Sequence, residues 1–521
     1  MHHVGTDEQL FVDNLLIDSV QSVTRRVAQP TKSDANPLLL KDKPWETILY
    51  LTCNTWNVHR HNGGFRCWYE DWDIDFEMRR KIATAETSFQ GEKNRIKSWL
   101  HPAVSAIRTL YAESPDGLVW NKPADDYPLG VPGTNIVAGN EQYGNVHAPC
   151  IFLDPKEQNP DKRYKMIFTR YNRDETTSHG TISLAYSADG RNWYPCEENP
   201  VFGESGSRLG DVWTMFYDTI EDRYVLPTRH IKMHAHRSAD RKPHTPRLPG
   251  FFGPYYPFDD SRMNKRRVSI SFSNDLLHWD EPKEIVIPDD NIDNLDDCYY
   301  GMQITQVGSQ YLGFLHRLRH VEDTMDVFLV HSRNLIDWQH VIPRVPFISL
   351  GGAGAWDQGM VTMPNPPVQH GDETWFFYGG SRNHHDWWVE GLSKKEELDV
   401  PEAWNHNLVS FGLGLATTKR NRYVALATGP RPGMVVTEEL VLDGPDLLIN
   451  ARCGKGGSVR VGLAGVQGYE VSDCDEFDGD DTDHRVTWKG RSLPPGSGAV
   501  RLYFQMQNAE LFGFRVAGAT E

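Results

Sequence analysis

One seven-residue signature occurs five times along this chain: a Ser or Thr six positions ahead of an aromatic, each copy closing an alternating apolar run. The copies are Ser114-Pro-Asp-Gly-Leu-Val-Trp120, Ser187-Ala-Asp-Gly-Arg-Asn-Trp193, Ser273-Asn-Asp-Leu-Leu-His-Trp279, Ser332-Arg-Asn-Leu-Ile-Asp-Trp338 and the weaker Thr417-Thr-Lys-Arg-Asn-Arg-Tyr423. Asp, Asn and Gly at the centre permit a tight reversal at low steric cost. Each copy therefore predicts a hairpin whose Trp covers the corner between neighbouring sheets. A unit recurring at roughly 60 to 85 residues is too long for a helical solenoid and suits one four-stranded propeller blade. The expected fold is all-β, a five-bladed β-propeller.

Each unit repeats the same order of strands. A second strand follows a turn in every case: Phe65–Tyr69, Arg163–Phe168, Arg223–Leu226, Gln310–Leu315 and Thr374–Tyr378, all with period-two alternation. Before each lies an apolar run that reads as the innermost strand: Thr47–Leu51, Pro149–Leu153, Val212–Tyr217, Tyr299–Thr305 and Gly359–Met363. Leu10–Ile17 reads as one more strand, expected to close the ring on the last unit. Helix is expected only around Glu70 to Trp99, where apolar residues lie among charges. From about Gly429 the pattern changes to short strands separated by Gly-rich turns. This predicts a second domain, a β-sandwich over 431–521, behind a propeller over 1–430.

Composition excludes several partners. Aromatics at 11% with 44 Gly and 32 Pro suit a turn-rich all-β protein. A net charge of −17 disfavours nucleic acid, whose phosphates need a concentrated basic face. No long apolar stretch is present to cross a membrane, and the start lacks the pattern of a leader, so a cytoplasmic protein is expected. Seven dispersed cysteines argue for reduced thiols. Homo-oligomerisation is left open.

Function is carried by the starts of the innermost strands, which a propeller gathers at the mouth of one funnel. Those positions are Glu46, His147, Asp211, Asp297 and Asp357. Acids crowded in a cleft repel one another and lose hydration, which favours a protonated carboxyl beside an ionised one. That pairing cleaves glycosidic bonds, one group donating to the leaving oxygen and the other activating water or attacking the sugar. Glu46, Asp211, Asp297 and Asp357 are the catalytic candidates. The alternative is that these acids only cap the loops between blades.

These features resemble the five-bladed propeller glycoside hydrolases, the group containing families 32, 43, 62, 68 and 117. Leu10-Phe-Val-Asp, Pro44-Trp-Glu, Arg163-Tyr-Lys-Met, Ser332-Arg-Asn-Leu-Ile-Asp-Trp and Gly371-Asp-Glu-Thr-Trp-Phe-Phe-Tyr-Gly-Gly are most similar to bacterial family 32-like hypothetical proteins. The resemblance implies a trio of acids as nucleophile or base, stabiliser and acid. It does not extend to the Asn-Asp-Pro-Asn, Arg-Asp-Pro and Glu-Cys-Pro motifs of family 32, and His147 stands where the Arg-Asp-Pro aspartate would be. Fructan hydrolysis is therefore not implied.

Substrate contacts are expected from His147, Arg229, Trp213, Trp356, His385 and Trp387, since aromatic faces stack on sugar rings and loops on a rigid scaffold shape pockets. No cofactor is expected. The aspartates between Asp473 and Asp483 read as a solvated acidic loop, with a structural calcium ion as the alternative. The expected activity is exo-acting hydrolysis of a small oligosaccharide or glycoside. Phosphorolysis or transglycosylation on the same scaffold is the first rival, with Arg229, Lys232, Arg266 and Arg267 as suppliers of a phosphate pocket. A non-catalytic carbohydrate-binding propeller is the second.

Overall fold

The computed structural model describes residues 2–51, 54–75, 105–171, 181–203, 209–230, 266–289, 291–294, 296–319, 322–385, 402, 405–496 and 498–518. The chain is all-β: among the described residues its elements are strands with three short 3-10 turns. No described helix is long and apolar enough to cross a membrane.

Five antiparallel meanders follow one another. The first runs through Leu49–Tyr50 with Asn57–His61, then Gly64–Ile74, Ser105–Ser114 and Ile136–Ala138. The second is Asn145–Leu153, Tyr164–Tyr171, Ser183–Ser187 and Tyr194–Pro195. The third is Leu209–Trp213 with Phe216–Asp218, then Arg223–His230, Arg267–Ser273 and Lys283–Val286. The fourth is Asp297–Val307, Gln310–Arg319, Thr324–Ser332 and the pair Gln339–His340 and Pro346–Ile348. In the fifth, Met360–Thr362 with Val368–His370 leads to Glu373–Ser381 and Phe411–Lys419, and the last strand is Thr31–Lys32 from the other end of the chain.

Two expectations are corrected. Leu10–Ile17 does not pair with the fifth meander: Gln9–Leu10 pairs with Phe514 and Gly513. Phe11 and Leu16 are taken into the core of the carboxy-terminal sheets, and Thr31–Lys32 takes the place beside Thr417 and Ala416 instead. The helix expected around Glu70 to Trp99 fails at its start. Strand Gly64–Ile74 carries straight through Glu70-Asp71-Trp72-Asp73, paired with residues 105–114 on one side and Leu49–Tyr50 on the other. The rest of that stretch, 76–104, lies outside the described residues.

In the first four meanders the recurring signature is the turn between the third and fourth strands. Ser187 Oγ accepts the Gly190 amide at 2.9 Å, while Asp189 Oδ1 accepts those of Arg191 and Asn192, both at 2.9 Å. The fourth residue is left-handed in four copies, with φ of +79° at Gly117, +74° at Gly190, +68° at Leu276 and +65° at Leu335. Such a turn projects this residue toward the preceding meander. Gly190 lies so close to Trp68 of the first meander that a Cβ would meet the indole at 2.5 Å, which excludes a larger residue. Leu276 lies in one core cluster with Phe152 of the second meander, and Leu335 in one with Val225 of the third. Tyr423, closing the weak copy, packs with Phe314 of the fourth, and Trp120 of the first packs edge-on against Phe377 of the fifth. Packing thus passes from each meander to its neighbour and from the fifth to the first.

Hydrogen bonds follow the same route. Tyr224 Oη donates to Asp154, and Tyr311 Oη to Asp218 at 2.7 Å, each joining the end of one meander's first strand to the next meander's second. Asn57 Oδ1 accepts from Ile151, the Met363 amide donates to His316, and Asn365 Oδ1 accepts from Val58.

The remaining strands form an eight-stranded sheet around Leu502–Ala517 and Asp446–Leu463, sharing one core with the three-stranded sheet His2–Val4, Leu440–Leu442 and Ala499–Val500. The larger sheet includes Gln9–Leu10, Ile17–Gln21 and Thr24–Val27, so both ends of the chain build it.

Candidate functional site

Every first strand is interrupted near its beginning. Register shifts fall between His147 and Cys150, Leu209 and Trp213, and Tyr299 and Gly301, while the first and fifth meanders have breaks after Tyr50 and Thr362. Bulges of this kind release side chains from the ladder and re-aim them. Chemistry-bearing residues cluster at these breaks.

In the first two meanders the cluster is built on Glu70. Its buried carboxylate accepts from His147 Nδ1 at 2.9 Å, from the Ala148 amide at 2.6 Å and from the Trp72 indole. Ala148 holds φ of +55°, a strained value for a residue with a side chain, stabilised here by the bond to Glu70 and by Asn54 Nδ2 on its carbonyl. Trp72 stacks on Tyr50 with centroids 4.0 Å apart and meets the edge of the His147 ring at 5.4 Å. Next in sequence, Asp71 faces the other side of the strand. Its Oδ1 accepts the Thr47 amide at 2.7 Å and its buried Oδ2 has no hydrogen-bond partner. Burial pushes this carboxyl up to about 8.

A second cluster is centred on Tyr300 at the break of the fourth meander. The guanidinium groups of Arg229 and Arg266 lie 4.6 Å and 4.8 Å from its ring centre, and His385 Nε2 is 2.8 Å from its hydroxyl. The His385 amide is tied to the carbonyl of Asp323.

The acids anticipated from the strand starts occupy separate surroundings. Glu46 is buried, accepting from Lys122 Nζ at 2.7 Å, Tyr69 Oη at 2.8 Å and the amides of Asp42 and Lys43. Asp357 repeats this plan, with Lys32 Nζ at 2.5 Å and Tyr378 Oη at 3.0 Å. Asn135 donates to Tyr69 in the first case and Asn36 to Tyr378 in the second. Asp297 accepts the Asn294 amide on Oδ2 at 2.9 Å, with Arg317 at 3.6 Å, while its buried Oδ1 has no hydrogen-bond partner. Burial raises its carboxyl, partly offset by that amide and by Arg317. No described hydrogen bond or ion pair joins Glu46, Asp297 and Asp357 to one another. The backbone of Asp211 lies in the interrupted stretch of Leu209–Trp213, and its side chain is outside the described residues, as is Trp387.

Among the expected substrate contacts, His147, Arg229 and His385 belong to the two clusters. Trp213 is instead buried between the second and third meanders, with Cys150, Met215 and Leu226. Trp356 is half-buried against Tyr378, with ring centres 5.7 Å apart. Reading the sequence missed Glu70, Asp71, Trp72, Tyr50 and Tyr300. The signal for the first three is an acid pair flanked by the aromatics Tyr69 and Trp72.

In the acidic loop, Asp473 pairs with Lys489, Asp475 accepts from Thr487, Asp480 pairs with Arg422, and Asp483 with Arg420 and Arg515. Among the described residues no three His, Cys, Asp or Glu side chains are grouped to hold a metal ion.

No family model matches the chain, and no curated protein matches it. Solved structures similar to it include the β-1,2-mannobiose phosphorylase of Listeria innocua at 12% identity, covering 75% of this chain and 96% of that one, with a TM-score of 0.43. A glycosyl hydrolase from Bacteroides ovatus is 12% identical, covers 76% and 95%, and has a TM-score of 0.42. An N-acetylgalactosamine deacetylase from F. plautii is 13% identical, covers 77% and 97%, and has a TM-score of 0.42.

Proposed function

We propose that the five meanders are the blades of a five-bladed propeller, that the sheets drawn from both ends of the chain, residues 2–27 and 424–518, form a β-sandwich rather than one confined to 431–521, and that the chain is a glycoside hydrolase acting where the first strands break. The ring is supported by packing that passes from each meander to its neighbour and from the fifth back to the first. One observation carries the chemistry. Asp297, at the start of a first strand, is buried, keeps Oδ1 without a hydrogen-bond partner and is shifted toward its protonated form, three residues from the Tyr300 cluster.

A general acid needs a carboxyl raised toward working pH, and burial shifts Asp297 in that direction. In this reading Asp297 donates to the leaving oxygen and Asp211, at the matching position of the preceding meander, activates water. His147 and His385 orient the sugar's hydroxyls, with the buried Tyr50–Trp72 stack holding the His147 ring in place. Glu46 and Asp357, each neutralised by a lysine and hydrogen-bonded by a tyrosine, anchor strand starts.

A second reading, phosphorolysis, is favoured by the two guanidinium groups beside Tyr300, which suit an anion. An arylglycoside panel including furanosides, assayed with and without phosphate, separates the two. Turnover without phosphate that Asp297→Asn and Asp211→Asn abolish supports hydrolysis; strict phosphate dependence supports the second reading; no turnover of any glycoside overturns both.

A further inference from the structure

The carboxy-terminal sheet carries a groove of 610 Å³ that shares no residue with either cluster. Its walls come from Arg26 on Thr24–Val27, from Arg452, Gly454 and Lys455 on Asp446–Leu463, and from Asn508 and Glu510 on Leu502–Ala517. The second wall is shaped by a break in the ladder between Cys453 and Ser458. There the backbone lies against Asn508: a Cβ on Gly457 would meet its carbonyl oxygen at 2.3 Å. The glycines therefore let Lys455 sit at the wall of the groove.

Charge in the groove opposes that of the whole molecule. Three cations, Arg26, Arg452 and Lys455, face one acid, Glu510, in a chain of net charge −17. Glu510 orients Arg452 through a hydrogen bond of 2.9 Å to Nε, and among the described residues no ion pair is made by Arg26 or Lys455. Guanidinium and ammonium groups lining one groove recognise carboxylates. The volume falls within the range of about 300–1,000 Å³ usual for small-molecule sites. Three cations are too few to hold a phosphate backbone by counterion release.

We propose that this groove binds an anionic saccharide, a chain bearing uronate carboxylates, and so delivers acidic glycans to the enzyme. The choice of a saccharide rests on the glycoside hydrolase reading. The test is native electrophoresis in gels containing polygalacturonate, neutral mannan or polyglutamate. Polygalacturonate alone is expected to retard the chain, and salt at about 0.5 M to abolish the effect. The double variant Arg26→Glu with Lys455→Glu is expected to weaken retardation by about tenfold, with unchanged thermal unfolding and unchanged arylglycoside turnover. Absence of retardation, equal retardation by polyglutamate, or an unaffected double variant overturns the proposal. Retardation of a chain inactive on every glycoside would keep the groove and sink the hydrolase reading.

Discussion

His147 Nδ1 and Glu70 Oε1 lie 2.9 Å apart between the first two meanders, both side chains removed from solvent. The same carboxylate also accepts from the Trp72 indole and the Ala148 amide. Three donors converge on two oxygens, so an amide in place of the acid cannot satisfy all of them. Glu70→Gln is expected to lose about 1–3 kcal/mol of stability through a buried donor left unpaired. It should also raise KM by releasing the His147 ring. Urea unfolding and arylglycoside kinetics check both, and an unchanged urea midpoint would refute the clamp.

Asp71 makes stability depend on pH in a defined direction. Its carboxyl is held near 8 in the folded chain, against about 3.9 when unfolded. Below pH ~4 the group is protonated in both states and its contribution is complete. Between ~4 and ~8 the folded state binds more protons than the unfolded one, so stability falls as pH rises, then levels off once both are ionised. Asp71→Asn keeps an oxygen for the Thr47 amide and removes the titration. Unfolding free energies of the two proteins measured from about pH 5 to 9 should converge at the acid end and separate at the alkaline end, the variant being more stable there; parallel curves would contradict the assignment.

The contacts between meanders are individually testable. Tyr311 Oη donates to Asp218, whose side chain is wholly buried and whose other oxygen has no hydrogen-bond partner. Removing the hydroxyl in Tyr311→Phe leaves that carboxylate with Arg223 at 3.5 Å as its one described ionic neighbour. A loss of about 1–3 kcal/mol is expected by urea unfolding, with kcat unchanged because the contact lies at the far end of the first strand from the breaks. A similar loss in Tyr224→Phe, through Asp154, would show that the two contacts are equivalent.

The strand plan is legible because alternation and turn chemistry are local. Ser187, Asp189 and Gly190 lie within one turn, and their bonds close over two or three residues. What meets a strand-start acid is not local. Lys122 reaches Glu46 across 76 residues and Lys32 reaches Asp357 across 325, so nothing near either acid announces its neutralising partner. A ring of acids therefore reads as chemistry before the lysines that meet two of its members come into view. Glu70 and Asp71 escape notice for the converse reason. Read along the chain, the aromatic run closes at Tyr69, and the acid pair after it reads as the start of a helix until pairing with Leu49–Tyr50 shows the strand continuing.

The two anchors differ in exposure, and that difference predicts a ranking. Lys122 is 4% exposed and Glu46 wholly buried, whereas Lys32 is 27% exposed beside an almost buried Asp357. Removing one partner of a buried pair leaves a charge without compensation, at a cost of about 3–5 kcal/mol. Lys122→Met is expected to reach that range. Lys32→Met should cost less, because water can reach the vacated position and screen Asp357. The double variant Lys122→Met with Glu46→Gln removes both charges and should recover part of the loss. Kinetics then separate anchor from catalyst: once folded, Glu46→Gln should retain kcat while Asp297→Asn loses it. A loss of kcat in Glu46→Gln without any change in urea midpoint would return Glu46 to the chemistry and remove the reason for assigning the proton donor to Asp297.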